Sequence, residues 1–365
     1  MLRLTGLSRA TIAALTADLI TADIVEEAGP ADDDSAVRRS GRPAQSLSIR
    51  RSAAYAVGVD IGHDHIRVML CDARGTPVWD NAVPQDVDHT PEQTLDRATD
   101  MVQAGLNSNT QASERILGLG VDIASPVDAA NDRLCSDGIM ADWINIQPAR
   151  ELSRRTGLPT QLINDANAGA LAERLYGAAR DCDDVVYIRL SAGIGAGVVA
   201  NGHLLHGTKG LAGEVGHLQI VPDGKICRCG NRGCLETVAS PVAIAGLLAD
   251  SWHRTVTTDE LFELIRVGNE GTRRAVADAA HAIGQCIATV VTLLNPERIV
   301  IGGELAAAGD LLFEPMKHSI RRHRMPSLDI DVPIIAGELG DSASVRGAAS
   351  VILARAPEIL ARLNM

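Results

Sequence analysis

Between His217 and Cys234 the chain places one imidazole and three thiols, Cys227, Cys229 and Cys234, within eighteen residues. No other stretch constrains the fold as much, because four such side chains converge only if the segment closes into a small, tightly turned loop. Gly216 precedes the histidine and Gly230 and Gly233 separate the last two thiols; residues without a Cβ permit the turns this requires. The donor set is that of a closed Cys3His zinc centre, soft and borderline ligands around a tetrahedral ion. Four protein ligands leave no open position for substrate or activated water, so the expected Zn2+ is structural. The competing reading is ordinary thiols, or a disulfide with a spare. An acidic chain without a basic-then-apolar leader argues against an oxidised framework and for a cytoplasmic protein. Cys71, Cys135, Cys182 and Cys286 occur singly and read as inert.

At 365 residues the chain is long enough for two or three domains. No apolar run approaches the length of a membrane span, so no membrane partner is expected. The net charge of −12 argues against a protein that mainly coats nucleic acid. That charge is unevenly spread: residues 1–52 hold seven Arg and seven Asp or Glu, so the remainder carries all of it. The chain has only three Trp, three Tyr and two Phe, too few for stacking platforms, so a polar ligand must be held mainly by hydrogen bonds.

Ser8 reads as an N-cap, followed by a helix with Ile12, Leu15, Leu19 and Ile20 at helical spacing. Strands near Ile24–Glu27 and Ser46–Ile49 flank a loop over 28–40, making a helix followed by a β-wing. From Tyr55 an α/β unit begins: strands over 55–62, 66–72 and 76–79, a helix over 91–106, a strand over 116–123, a helix over 147–157, a strand over 160–163 and a helix over 165–176. A second unit repeats the opening with strands over 185–190 and 197–201, then helices over 241–250, 272–294 and 305–323, strands over 298–301 and 333–336, and a last helix from about Ser342. Two similar halves predict a bilobal α/β protein with a cleft. The expected division is a helix-and-wing region over 1–50, a first lobe over 55–176 with about 342–365, and a zinc-containing second lobe over 177–341.

Each half carries a Gly-rich turn after its first strand: Asp60-Ile61-Gly62-His63-Asp64-His65, and Ser191-Ala192-Gly193-Ile194-Gly195-Ala196-Gly197. Such turns offer backbone N–H groups to phosphate oxygens, although glycine after a strand is more often plain turn chemistry. Asn164-Asp165 ends a strand and opens a helix, where Asp serves either as an N-cap or as a carboxylate able to accept a hydroxyl proton. Glu214 lies three residues before His217, and Glu236 two after Cys234.

These motifs, with Ile301-Gly302-Gly303, stand in the order seen in the ROK (repressor, ORF, kinase) family, which the chain resembles over residues 55–355. The resemblance implies an actin-like ATPase (ribonuclease H-like) fold with a sugar between the lobes. Carried over by position, Asn164, Asp165, Glu214, His217 and Glu236 would bond sugar hydroxyls, and His217, Cys227, Cys229 and Cys234 would hold Zn2+. His217 would bond metal through one nitrogen and sugar through the other. Asp165 corresponds to the catalytic base of the family's kinases. Asp60, Gly62, Gly193, Gly195, Gly302 and Gly303 correspond to their phosphate-binding positions.

The phosphate turns depart from the kinase pattern. The kinases resemble Asp-x-Gly-Gly-Thr followed by Lys or Asn, whereas His63-Asp64-His65 follows Gly62 here. Asp64 would set a negative side chain near a triphosphate, costing on the order of 1–4 kcal/mol. Ser191-Ala192-Gly193 replaces Gly-Thr-Gly, which removes a further phosphate-binding hydroxyl. ATP and Mg2+ are therefore disfavoured, and the resemblance points to the repressor branch. Thr5 to Ile20 is similar to the turn and recognition helix of that branch's winged helix-turn-helix, and Gly41-Arg42-Pro43 to its wing tip. Ser8, Arg9, Thr11 and Arg42 would contact DNA, with Arg38 and Arg39 within reach of phosphates. Only Met1 to Leu4 precede the turn. The expectation is a truncated winged helix-turn-helix: weak specific DNA binding by this form, and strong binding by an N-terminally extended one. The expected partners are a sugar, operator DNA, and a second copy in a homodimer or dimer of dimers.

Overall fold

A computed structural model of the chain describes residues 5–28, 46–135, 138–326 and 331–357. Arg38, Arg39, Arg42, the expected wing tip, all of the 28–40 loop but Ala28, and positions 358–365 lie outside the described residues.

Helix α1 (Arg9–Thr21) starts at Ser8, whose Oγ accepts the Thr11 N–H at 3.1 Å. It buries none of its side chains. Strand β1 (Val25–Ala28) pairs antiparallel with β2 (Ser46–Ile49), Val25 opposite Ile49.

The remainder is built twice on one plan. Strands β3 (Tyr55–Ile61), β4 (His65–Asp72) and β5 (Pro77–Pro84) form an antiparallel meander. Helices α2 (Pro91–Asn107) and α3 (Thr110–Glu114) lead to β6 (Ile116–Ile123), parallel to β3. A small hairpin, β7 (Val127–Asp128) and β8 (Arg133–Leu134), and α4 (Pro148–Thr156) precede β9 (Thr160–Asn164), parallel to β6. After α5 (Asp165–Tyr176), strands β10 (Val185–Leu190), β11 (Ile194–Ala200) and β12 (His203–Leu204) repeat the meander. Helices α6 (Glu236–Ala239), α7 (Pro241–Trp252), α8 (Thr258–Arg266) and α9 (Glu270–Leu294) lead to β13 (Arg298–Gly302), parallel to β10. Helix α10 (Asp310–His323), strand β14 (Ile334–Ala336) and helix α11 (Ala343–Leu353) complete the order. The sheets run β5-β4-β3-β6-β9 and β12-β11-β10-β13-β14. One strand order used twice is the actin-like duplication.

Strand β3 is buried at every residue, because helices cover both faces of its sheet. Leu95 and Met101 of α2 and Leu152 of α4 pack on one face. On the other, Val345, Ala349 and Ile352 of α11 meet Ala56, Met69 and Leu117. The approach of α11 is at backbone contact: a Cβ at Gly120 would lie 1.8 Å from the Ala348 carbonyl oxygen, and one at Gly58 1.9 Å from that of Val345. Helix α5 packs on the second sheet, Ala170 against Tyr187 and Val199. Gly347 brings α11 equally close to α5, where a Cβ would meet the Ala168 carbonyl oxygen at 1.8 Å. These two helices, back to back, join the sheets. Helix α9 has the length and apolarity of a membrane span, a candidate the sequence reading did not flag. Its Val276, Ile283 and Ile287 are fully buried in the second core, as in a core helix.

Three local expectations change. The strand expected from Gly197 begins at Ile194, so the second Gly-rich stretch is mostly strand, with Gly195 opposite Arg189 and Gly197 opposite Tyr187. The helix expected over 305–323 is a 3-10 turn, Glu304–Ala308, then α10, broken by Gly309 at φ 58°. The helix-capping residue at the β9–α5 junction is Asn164 rather than Asp165: its Oδ1 accepts the N–H groups of Ala166 and Asn167 at 3.0 and 3.1 Å. Helices α3 and α8 and the short strands β7, β8 and β12 carry patterns too brief to read in advance.

Candidate functional site

A cleft lies between the two sheets. The turn after β3 (Gly62 to His65), Ser125, Asn164 and Asp165 line it from the first half; Arg189, Ser191 to Ala196, Glu214, His217, Arg228 and Glu236 line it from the second. All five residues expected to meet a sugar therefore face one space. Asn164 turns its amide on the Ser125 carbonyl at 3.2 Å and on Asp165 Oδ1 at 3.0 Å, which leaves Asp165 Oδ2 to Arg189 Nε at 3.0 Å. Burial raises Asp165 above the usual carboxylate range, and Arg189 opposes that rise. Burial, with Asp165 and Glu236 nearby, pushes Glu214 up to about 7. Glu236 is already engaged: its Oε2 accepts the Ile194 N–H at 3.0 Å and its Oε1 the Arg228 Nε–H at 2.9 Å.

The metal-ligating expectation has a matching geometry. His217 Nδ1, Cys227 Sγ, Cys229 Sγ and Cys234 Sγ all lie within 4.8 Å of one another. His217 Nδ1 is 3.6 Å from Cys227 Sγ, and Cys229 Sγ is 3.7 Å from Cys234 Sγ. Such separations suit donors around one tetrahedral ion at bond lengths of about 2.0–2.3 Å. His217 Nε2 faces the other way, 3.9 Å from Glu214 Oε2. Backbone bonds set the loop: Cys227 N–H to Asn231 O at 2.7 Å and Gly233 N–H to Lys225 O at 2.9 Å. Gly233, at φ +67°, leaves no room for a side chain, since a Cβ would lie 1.6 Å from the Val221 carbonyl oxygen.

At the turn expected to meet phosphate, His65 closes on its own neighbours. His65 Nε2 lies 3.3 Å from Asp60 Oδ2 and its Nδ1 2.8 Å from Asp64 Oδ1. The hydrogen bonds to Asp60 and Asp64 raise His65 to about 10. Its ring sits over Gly62, where an added Cβ would come within 2.4 Å of it. Gly193 and Gly195 line the cleft. Gly302 packs under Tyr187 and Gly303, at φ +80°, against the Leu190 backbone, so both serve close packing behind the wall. In the N-terminal region, Ser8 and Thr11 bond each other at 2.8 Å and Arg9 is exposed.

Three residues in or behind the cleft escaped the sequence reading. Arg189 was visible as a lone charge in the apolar run Val-Val-Tyr-Ile-Arg-Leu. Arg228 was visible only as a spacer between two thiols. Asp122, next to last in β6 and fully buried, was marked out by nothing in the apolar run around it.

A duplicated actin-like fold with a polar cleft and a Cys3His loop defines a class that joins sugar kinases and sugar-responsive regulators. The ROK family profile matches residues 56–355, and the chain belongs to the ROK family. It is similar to the xylose repressor of Bacillus subtilis, 27% identical over 96% of this chain and 89% of the repressor. It is also similar to the glucokinase of Thermotoga maritima, 30% identical over 82% of this chain and 97% of the enzyme. Among solved structures, a ROK family transcriptional regulator described as a homologue of Escherichia coli Mlc superposes with a TM-score of 0.78 at 26% identity. That match covers 99% of this chain and 92% of the other. The repressors place the chain in the family's transcriptional regulator branch.

Proposed function

We propose that this chain is a sugar-responsive transcriptional repressor of carbohydrate metabolism, acting in the cytoplasm as a homodimer on operator DNA. The observation that carries the reading is coverage: likeness to the regulators spans 96–99% of the chain, whereas likeness to the glucokinase spans 82%. In this reading residues 1–50 contribute a winged helix-turn-helix, with Ser8, Arg9, Thr11 and Arg42 toward DNA. The first lobe (55–176 with 342–365) and the second (177–341) enclose the sugar. Asn164, Asp165, Glu214, His217 and Glu236 bond its hydroxyls. Zn2+ on His217, Cys227, Cys229 and Cys234 would fix the loop and hold the His217 ring so that Nε2 faces the sugar.

The alternative, an ATP-dependent hexose kinase with Asp165 as base, draws on the glucokinase likeness and on the carboxylate at that position. Arg189 Nε at 3.0 Å from Asp165 Oδ2 opposes it, because the guanidinium occupies the oxygen that a base would turn to the sugar hydroxyl. The test is a thermal-shift screen with xylose, glucose, N-acetylglucosamine and N-acetylmannosamine, paired with ADP-release assays on each. A ligand that binds only the folded state raises its stability. A stabilising sugar without ADP release is expected; turnover lost in Asp165→Asn would replace this reading by the kinase.

A further inference from the structure

A second cavity, of 920 Å³, lies outside the cleft along the β9 edge of the first sheet. Four consecutive residues of β9, Thr160 to Ile163, line it. Successive side chains of a strand point to opposite faces, so a space lined by four in a row lies against the strand's edge. Arg150 and Arg154 of α4 wall it on one side, and Leu171 and Leu175 of α5 with Val351 of α11 on the other. Helices α4 and α11 cover opposite faces of this sheet. The cavity is therefore a slot between two helical layers with a strand edge as its floor.

That edge is open. Among the described residues β9 pairs only with β6, in a register that sets Thr160 beside Leu119, and the Leu119 N–H bonds the Pro159 carbonyl. Backbone groups alternate sides along a strand, so Pro159, Gln161 and Ile163 turn theirs to β6, while Thr160 and Leu162 turn both N–H and C=O into the slot. The opposite edge of the same sheet, β5, begins at Pro77 and ends at Pro84, a common guard against strand addition. No proline occurs within Thr160–Asn164. The lining is also net positive, in a chain of net charge −12: Arg150, Arg154 and Arg355 stand against one carboxylate, Asp132, with His206 beside them. Asp132 is engaged by the first turn of α4, accepting the Ala149 and Arg150 N–H groups at 3.0 and 2.8 Å. Arg154 also meets Glu151 of its own helix at 2.8 Å.

We propose that this slot docks an extended acidic segment of another protein, which adds to β9 as a sixth strand of the five-stranded sheet. Main-chain bonds to Thr160 and Leu162 hold the segment, Leu171, Leu175 and Val351 receive its apolar side chains, and Arg150 and Arg154 pair with its carboxylates. Edge-to-edge pairing of two copies of this chain about a two-fold axis would bring the two basic linings together, so the occupant is a different chain. The slot is separate from the cleft, and the proposal stands whatever the cleft binds.

The test selects random dodecapeptides displayed on phage against the full chain, then measures the enriched peptides, made synthetically, by fluorescence anisotropy. Peptides that alternate apolar residues with Asp or Glu are expected. Arg150→Glu/Arg154→Glu, which changes two exposed side chains, should weaken their binding at least about tenfold. Thr160→Pro removes an N–H that faces the slot and spares the ladder to β6, and should weaken binding by a similar factor. In hydrogen-exchange mass spectrometry a bound peptide should slow exchange across 158–164. Should Thr160→Pro not fold, the exchange measurement and the arginine pair decide without it. The proposal is overturned if no peptide is enriched, if the enriched peptides are not acidic or ignore the arginine reversal, or if exchange across 158–164 is unchanged. Binding that appears only after removal of positions 358–365 also overturns it, giving the slot to the chain's own end. So does an arginine reversal that converts dimers to monomers in analytical ultracentrifugation, which gives the slot to a second copy.

Discussion

His65 is a cation at neutral pH because its ring sits between two carboxylates, Asp60 at 3.3 Å and Asp64 at 2.8 Å. Glu304 and Arg189 also face this corner, Glu304 with burial raising its own carboxyl. In the folded chain His65 holds its proton up to about 10, against an ordinary value of 6.5. The pair's contribution to stability is therefore complete below about pH 6.5 and is lost as the pH climbs toward 10. The difference in melting temperature between wild type and His65→Asn should be largest at pH 6 and shrink steadily on the alkaline side; a difference that grows with pH contradicts the pairing. The His-Asp-His run after Gly62 was legible as a departure from a phosphate turn. That His65 closes the turn with its own charge was not, because the contact depends on the fold-back of β4 onto β3.

The Cys3His loop was the element most open to inspection in the sequence, since ligand types, spacing and glycines all lie within one short segment. What the sequence could not give is the reach of that loop. Arg228, between two of its thiols, clasps Glu236, and Glu236 holds the backbone of Ile194 in the opposite turn. The Cys3His loop, Glu236 and the cleft wall thus form one connected unit. Chelation of zinc, or Cys227→Ser, should lower sugar affinity together with thermal stability; calorimetric titration showing unchanged affinity after complete zinc removal breaks the link. The paired helices make a second claim. Gly120→Ala sets a methyl against the α11 backbone, and overpacking of this kind costs roughly 1–3 kcal/mol, readable as a lower urea midpoint. The two mixed sheets were legible as apolar strands, each half opening on one that ends in a Gly-rich turn. The backbone contacts that seat α11 were not, because a glycine in a strand does not reveal what approaches it.

For the whole molecule, a repressor must transmit cleft occupancy to the part that meets DNA, and the structure fastens the described N-terminal residues to the first sheet through side chains of that sheet. Arg74, in the turn after β4, donates from Nε to the Ile49 carbonyl at 2.5 Å and from Nη2 to Glu26 Oε1 and Ser48 Oγ at 2.6 and 2.9 Å. Arg115, at the foot of β6, reaches Asp23 Oδ2 at 3.4 Å and the Ser52 carbonyl at 3.0 Å. The β1–β2 ribbon is thereby fastened to the first sheet, the sheet that carries Asp60 and Asn164 and is followed by Asp165. A ligand shifts a distant equilibrium only through such differential contacts, and the coupling is reciprocal. Sugar should therefore change affinity for a duplex selected from a random-sequence pool by at least about fivefold, and that duplex should change sugar affinity by the same factor. Arg74→Ala should leave sugar affinity in the absence of DNA unchanged, since Arg74 lies outside the cleft, while bringing both factors toward one. Fluorescence anisotropy with and without sugar measures the first factor and calorimetry with and without duplex the second. Full coupling retained in Arg74→Ala would move the relay from this ribbon to the subunit interface.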